Sequence, residues 1–220
     1  EMTTIRFTFI FMLAMLVLLP LAGAQPDQKN LPIGLAPFET FDPPARAPMT
    51  APPQAPIRAL GEWEEAEYAM TLWVNSSLVG NLARRGPVKI LANSESDVAW
   101  WNNWLDQNGI SREKVSYFVV PTNSIWIRDY GPWYFIDATG NLGMVDTTYN
   151  RPRPLDDVVP QHISRQTGVP YYQPGLVHTG GNFYCDGTGN GFSSTLVYSE
   201  NSSLAQNVVN QRMKDRKSVV

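Results

Sequence analysis

Apolar residues along this chain come in short blocks, and the period within the blocks changes as the chain advances. Residues 68–74 (YAMTLWV) form a near-continuous apolar run, as a strand buried on both faces would. Residues 88–92 (VKILA) are a second such run, entered after Gly86-Pro87, and residues 115–120 a third, ended by Pro121. Between these two, Val98, Trp101 and Leu105 recur at helical spacing. That predicts a helix over 94–108, with Ser94 or Ser96 as its N-cap and Asn108-Gly109 as its stop. Residues 133–136 and 142–146 flank the turn 137–141 and read as a hairpin. Residues 156–167 read as a helix closed by Gly168 and Pro170, 176–178 and 194–198 as short strands, and 202–214 as a last helix. Strand–helix–strand units separated by a hairpin predict an α/β protein.

Two N-terminal stretches stand outside this pattern. Arg6, an apolar run over 7–21 broken only by Thr8 and Pro20, and Ala22-Gly23-Ala24 have the layout of a secretory signal peptide, residues 1–24. The run is short for a membrane-spanning helix. Such a leader implies a secreted, periplasmic or cell-surface protein with no membrane attachment after cleavage. Residues 25–57 are rich in Pro, Ala and polar residues and predict an extended linker or pro-segment. The folded part is then 58–220.

Composition removes some functions. A net charge of −3 without a basic block argues against a nucleic-acid binder, and 43% hydrophobic residues suffice for a core. One cysteine, Cys185, allows no internal disulfide framework. With only His162 and His178 beside it, no Cys/His zinc site of ordinary ligand count is expected.

The densest chemistry lies in residues 124–133, SIWIRDYGPW. Asp129 is a carboxylate among aromatic walls, Trp126 first among them. Such a site suits a flat cation, and the commonest is a guanidinium. The plainer alternative makes Ile125, Ile127, Tyr130 and Trp133 core residues around a turn, with Arg128–Asp129 a surface ion pair. Either way the segment is expected to be a loop at a strand end. Further on, Arg151 and Arg153 flank Pro152, and stiff backbone would present two forks suited to a carboxylate. The alternative is a solvated turn paired with Asp156 and Asp157. Residues 178–189, HTGGNFYCDGTG, hold four glycines that permit close approach of backbone to a ligand, but neither a dinucleotide nor a Walker fingerprint. Asn182 and Asp186 either line a pocket or close turns, the turn role being favoured for Asp186. His178 is either a site residue or a hydrogen-bonded structural histidine. Cys185 beside the glycines invites a nucleophile reading.

Trp126-x-Arg128-Asp129-Tyr130-Gly131-Pro132 resembles the signature of the Porphyromonas-type peptidylarginine deiminases and the related agmatine deiminases. The resemblance covers about 160 residues, with its motifs in order. It implies a five-bladed α/β propeller (pentein) of ββαβ units, of which this chain would hold roughly the first two blades. It also implies that Asp129, with Trp126, grips a substrate guanidinium, and that Arg151 and Arg153 hold the C-terminal carboxylate of a peptide ending in arginine. Gly180-Gly181-Asn182 with Asp186-Gly187-x-Gly189 is similar to the family's second-blade motif. That separates Cys185 from the late nucleophile and leaves it a buried small side chain. An acidic residue commonly stands in the agmatine deiminases where His178 stands here.

The implied chemistry is thiolate attack on the guanidinium carbon, loss of ammonia and hydrolysis to citrulline, with no metal or organic cofactor. The family's His-x-Asp and late Cys have no match; His162 is followed by Ile163-Ser164. The chain is therefore expected to be the N-terminal part of a secreted protein-arginine deiminase, inactive alone, whose partners are peptides or proteins with a C-terminal arginine. The alternatives are an agmatine deiminase-like enzyme of putrescine biosynthesis, or a secreted binder of such peptides without chemistry.

Overall fold

The computed structural model describes residues 31–40, 44–72 and 76–217. The expected signal peptide, 1–24, lies outside them, as do Trp73 and Val74 of the first expected strand.

The architecture is α/β. β1 (Arg58–Ala59) precedes a parallel sheet of β2 (Ala69–Leu72), β3 (Val88–Ala92) and β4 (Val115–Val119), in that order, with α1 (Ser76–Ala83) and α2 (Glu95–Gln107) as crossovers. One turn of helix, α3 (Ile127–Tyr130), leads to the hairpin β5 (Trp133–Ile136) and β6 (Leu142–Val145). The chain then passes through α4 (Pro154–Asp157) and α5 (Val159–Thr167) and returns as β7 (Tyr171–Tyr172), parallel to β6. β1 adds to the free side of β5. This second sheet contains the expected ββαβ unit; the first is βαβαβ instead. A ribbon of β8 (Phe183–Cys185) and β9 (Gly191–Ser193) follows, then α6 (Leu196–Glu200) and α7 (Gln206–Lys217).

Alternation along β3 explains why it is central. Ile90 joins Val79, Trp101 and Leu105 on the helix face, while Leu91 turns to Leu72, Phe118, Tyr149 and Ile163 on the other. α2 starts where expected. The Ser94 hydroxyl accepts from Asp97 N, and Glu95 and Asp97 complement the positive helix end.

Several expectations need correcting. Residues 194–198 are not a strand. Residues 196–200 wind into α6, because Val197 is buried against Val209 and Met213 and its carbonyl accepts from the buried Asn201 at 2.8 Å. Residues 176–178 contribute a single bridge, Thr148 to Val177, rather than a strand. α1 was not expected; Gly80 at its centre weakens its helical signal, but a Cβ there would collide with Ile110 and Trp104. The Pro-rich stretch is not detached. Ala47 N donates to Thr148 Oγ1 at 2.9 Å, Thr50 bonds Gln173 in both directions, and Leu31, Ala36 and Ile57 are buried.

Candidate active site

The aromatic segment is pinned from both sides. At its front the buried carboxylate of Asp156 accepts from Asn123 N at 2.7 Å, Ser124 N at 3.1 Å and Ser124 Oγ at 2.6 Å. Burial nevertheless pushes this carboxyl up to about 6. The Tyr130 hydroxyl donates to Ser124 O at 2.7 Å, and Asp129 N to Trp126 O at 2.8 Å. These bonds close the turn of helix that replaces the expected loop. At its back lies the glycine pair. A Cβ on Gly180 would strike the carbonyl oxygen of Arg128, and one on Gly181 the Oδ1 of Asp129. Gly180 must be glycine for the two motifs to meet, and a side chain at 181 would displace the Asp129 carboxylate.

Asp129 is half-buried, and its carboxylate forms no ion pair with any described residue. Arg128 turns away to pair with Glu62, its guanidinium 5.3 Å from the centre of the Tyr184 ring. The adjacent Arg–Asp pair is thus no ion pair. Tyr149 stands close to Asp129. Its phenol is pushed up by burial first and by the charge of Asp129 second, and its hydroxyl has no hydrogen-bond partner among the described residues. The ring packs edge-on against Tyr130 at 5.6 Å.

The arginines differ from expectation. Arg153 does not project a free fork; it is 1% exposed. Its Nε donates to Glu39 Oε1 at 2.9 Å and its Nη2 to Glu39 Oε2 at 3.0 Å. Nη2 also meets Pro32 O and Gly34 O, at 2.8 and 2.9 Å. The Arg153 hydrogen bond holds the Glu39 carboxyl below the usual range, against the opposing pull of burial. Arg151 is half-buried and donates from Nε to Ile33 O at 3.1 Å. Asp156 and Asp157 pair with neither arginine as salt bridges; Asp157 accepts instead from Tyr149 N at 2.5 Å. Trp126 Nε1 donates to Leu31 O at 2.8 Å. Residues 31–39 therefore run over Trp126, Arg151 and Arg153.

The remaining candidates have structural partners. Asn182 Oδ1 accepts from Ser194 N at 3.0 Å, while its Nδ2 is buried without a hydrogen-bond partner among the described residues. His178 is fully buried, edge-on to Trp133 at 5.3 Å, with Nε2 3.3 Å from Ser193 Oγ. Asp186 closes the β8–β9 turn through Thr188 N, Asn190 N and Asn190 Nδ2, and those bonds hold its carboxyl far below the ordinary range. Cys185 Sγ donates to Leu60 O at 2.8 Å, and burial pushes its thiol up, away from thiolate. No cluster of three or more His, Cys, Asp or Glu among the described residues could hold a metal. A cavity of about 640 Å³ is lined by Tyr68, Trp133, Tyr184 and Cys185, but not by Asp129, Arg151 or Arg153.

Sequence reasoning missed Glu39 and Tyr149. Tyr149 adjoins the Arg-Pro-Arg motif and could have been drawn in. Glu39 carried no signal beyond being a carboxylate in a Pro-rich stretch.

Residues 47–219 match the family model of the Porphyromonas-type peptidyl-arginine deiminases. A Mycoplasma capricolum protein with the provisional name agmatine deiminase is 22% identical over 183 residues, which are 70% of this chain and 49% of the relative. The structure of the Enterococcus faecalis agmatine deiminase superposes with a TM-score of 0.62 at 22% identity, over 74% of this chain and 51% of that one. The C. jejuni agmatine deiminase gives 0.59 at 24% identity, over 72% and 51%. This chain thus spans about half the length of the relatives it matches.

Proposed function

This chain belongs to the Porphyromonas-type peptidyl-arginine deiminase family, and from that premise we propose that its described residues are the guanidinium-binding part of a deiminase for small guanidines of the agmatine type. The observation that carries this reading is the Asp129 carboxylate. It lies against Gly181, its charge acts on Tyr149, its backbone N–H is bonded to Trp126 O, and it has no ion-pair partner among the described residues. A substrate guanidinium would supply the missing cation through paired N–H···O bonds.

The reaction breaks one C–N bond of the guanidinium and forms a C–O bond from water. Guanidinium and water become a ureido group and ammonium, with no change of oxidation state. Asp129 holds the cation so that its central carbon faces an attacking group. Cys185, bonded to Leu60 O, is not that group. In this reading the attacking group belongs to the part of the relatives that this chain does not span.

The agmatine preference rests on the names of the relatives. A second reading, deimination of peptides ending in arginine, is favoured by the proximity of Arg151 and Arg153 in one loop and by the family's description. Ammonia release by the intact protein separates the two. Agmatine should be turned over with the higher kcat/KM. A higher value on a peptide ending in arginine would install the second reading, and none on either would leave a binding protein. We also propose export, on the leader-like residues 1–24; N-terminal sequencing of the mature protein should find them removed.

A further inference from the structure

We propose that Glu39 is a specificity-determining residue, an internal carboxylate that occupies the arginine end of the site and selects against substrates carrying a carboxylate. The inference deepens the reading above and rests on it for where the guanidinium lies and for Arg153 belonging to the same site.

That the arginine end accepts a carboxylate is visible in the molecule itself. Arg153 holds Glu39 in a two-point fork, Nε to Oε1 and Nη2 to Oε2, with both side chains nearly excluded from solvent. The fork geometry is one that guanidinium groups use to read carboxylates. The rest of the segment is bound as a peptide would be, through main-chain carbonyls. Leu31 O faces Trp126, Ile33 O faces Arg151, and Pro32 O and Gly34 O face Arg153. A tight turn then aims the carboxylate: Glu39 N donates to Ala36 O at 2.9 Å, and Ala36 N to Glu39 Oε2 at 2.7 Å. Leu31 and Ala36 are buried, so the segment is seated and not merely draped. Among the described residues, no hydrogen bond runs from this segment to Asp129. The segment thus fills the arginine end and reaches Trp126, while leaving the Asp129 carboxylate without a bond to it.

The consequence is discrimination by occupancy. A guanidine without a carboxylate reaches Asp129 and leaves Glu39 in place. A guanidine with one must displace Glu39 from Arg153 or bring its own negative charge beside it. Specificity of this kind comes from a built-in penalty on the wrong ligand.

The test uses the intact protein, wild type and Glu39→Gln, with N-acetylarginine and its amide as probes that differ only in the carboxylate. The ratio of kcat/KM for the acid to that for the amide should rise at least tenfold in the variant. A ratio unchanged within twofold, or lowered, overturns the proposal. Dissociation constants for the same two probes decide the matter even if no turnover occurs. The acid alone should bind at least tenfold tighter to the variant, and equal tightening of acid and amide, or none, overturns the proposal. Absent turnover beside this binding result would sink the deiminase reading and leave the inference standing. Should Glu39→Gln not fold, hydrogen exchange on the wild type decides instead. Millimolar acid, but not amide, should speed exchange of the Ala36 and Glu39 amides, and unchanged exchange with bound acid overturns the proposal.

Discussion

Asp129 and Arg153, two charged residues that both act on the Tyr149 phenol, are provided for in opposite ways. Asp129 is half-buried, shaped by its immediate neighbours in α3 and by the glycine pair, and no cation of the described protein answers it. Arg153 is buried and already answered, by a carboxylate 114 positions earlier in the chain. An open end of this kind can bind; a closed end mainly stabilises and filters. The difference teaches that a charged residue in a motif is a binding residue only if the fold has not already matched its charge.

The largest expected effect tests the closed end. Arg153→Ala strands Glu39 in a buried setting, and urea unfolding should report a loss of about 3–5 kcal/mol. Glu39→Gln with Arg153→Met should recover much of it, because no buried charge is left alone. A loss below about 1 kcal/mol would mean that the two ends are alike after all. The open end should behave the other way round. Asp129→Asn is expected to lower kcat/KM for a guanidine roughly 10²–10³-fold, while the unfolding free energy moves by less than about 0.5 kcal/mol. Gly181→Ala probes the same end indirectly. Its Cβ would push Asp129 Oδ1 aside, and turnover should drop roughly 10²-fold from misplacement alone. Normal kinetics in that variant would show that the carboxylate has room to relax.

A third carboxylate calibrates the other two. Asp146 is buried with, among the described residues, only the Gln161 and Gln173 side chains as donors to its carboxylate, and burial raises its carboxyl to about 7. Its folded value lies above the ordinary 3.8, so the neutral form favours folding. That contribution is complete below about pH 4 and is lost as pH rises through 7. Relative to wild type, Asp146→Asn should gain about 2–3 kcal/mol in unfolding free energy between pH 5 and pH 8. A flat difference would show that Asp146 stays ionised throughout.

Local signals were legible in the sequence and remote ones were not. β3 has its expected bounds, and α2 its expected Ser94 cap, because alternation and capping are written in adjacent residues. The aromatic segment announced a carboxylate in aromatic surroundings. Its helical turn was hidden, since four residues ending at Gly131-Pro132 have no helical period to detect. Residues 194–198 look like a strand from within and become helical through Val197, Val209 and Asn201, whose contacts lie outside the window. Glu39 is the extreme case. Its segment binds mainly through carbonyl oxygens, which every residue possesses, so no side-chain pattern could have revealed it.

Because Glu39 is part of the chain it occupies, any soluble competitor for Arg153 faces a tethered rival. A tether holds its group at an effective concentration, on the order of millimolar for a short flexible linker. Where the tethered group's own intrinsic affinity is on the order of micromolar, a millimolar effective concentration would make a free carboxylate look roughly a thousandfold weaker in an assay. An inhibitor built to grip Arg153 would spend its affinity on eviction. One built around a cation for Asp129 would meet no such rival among the described residues.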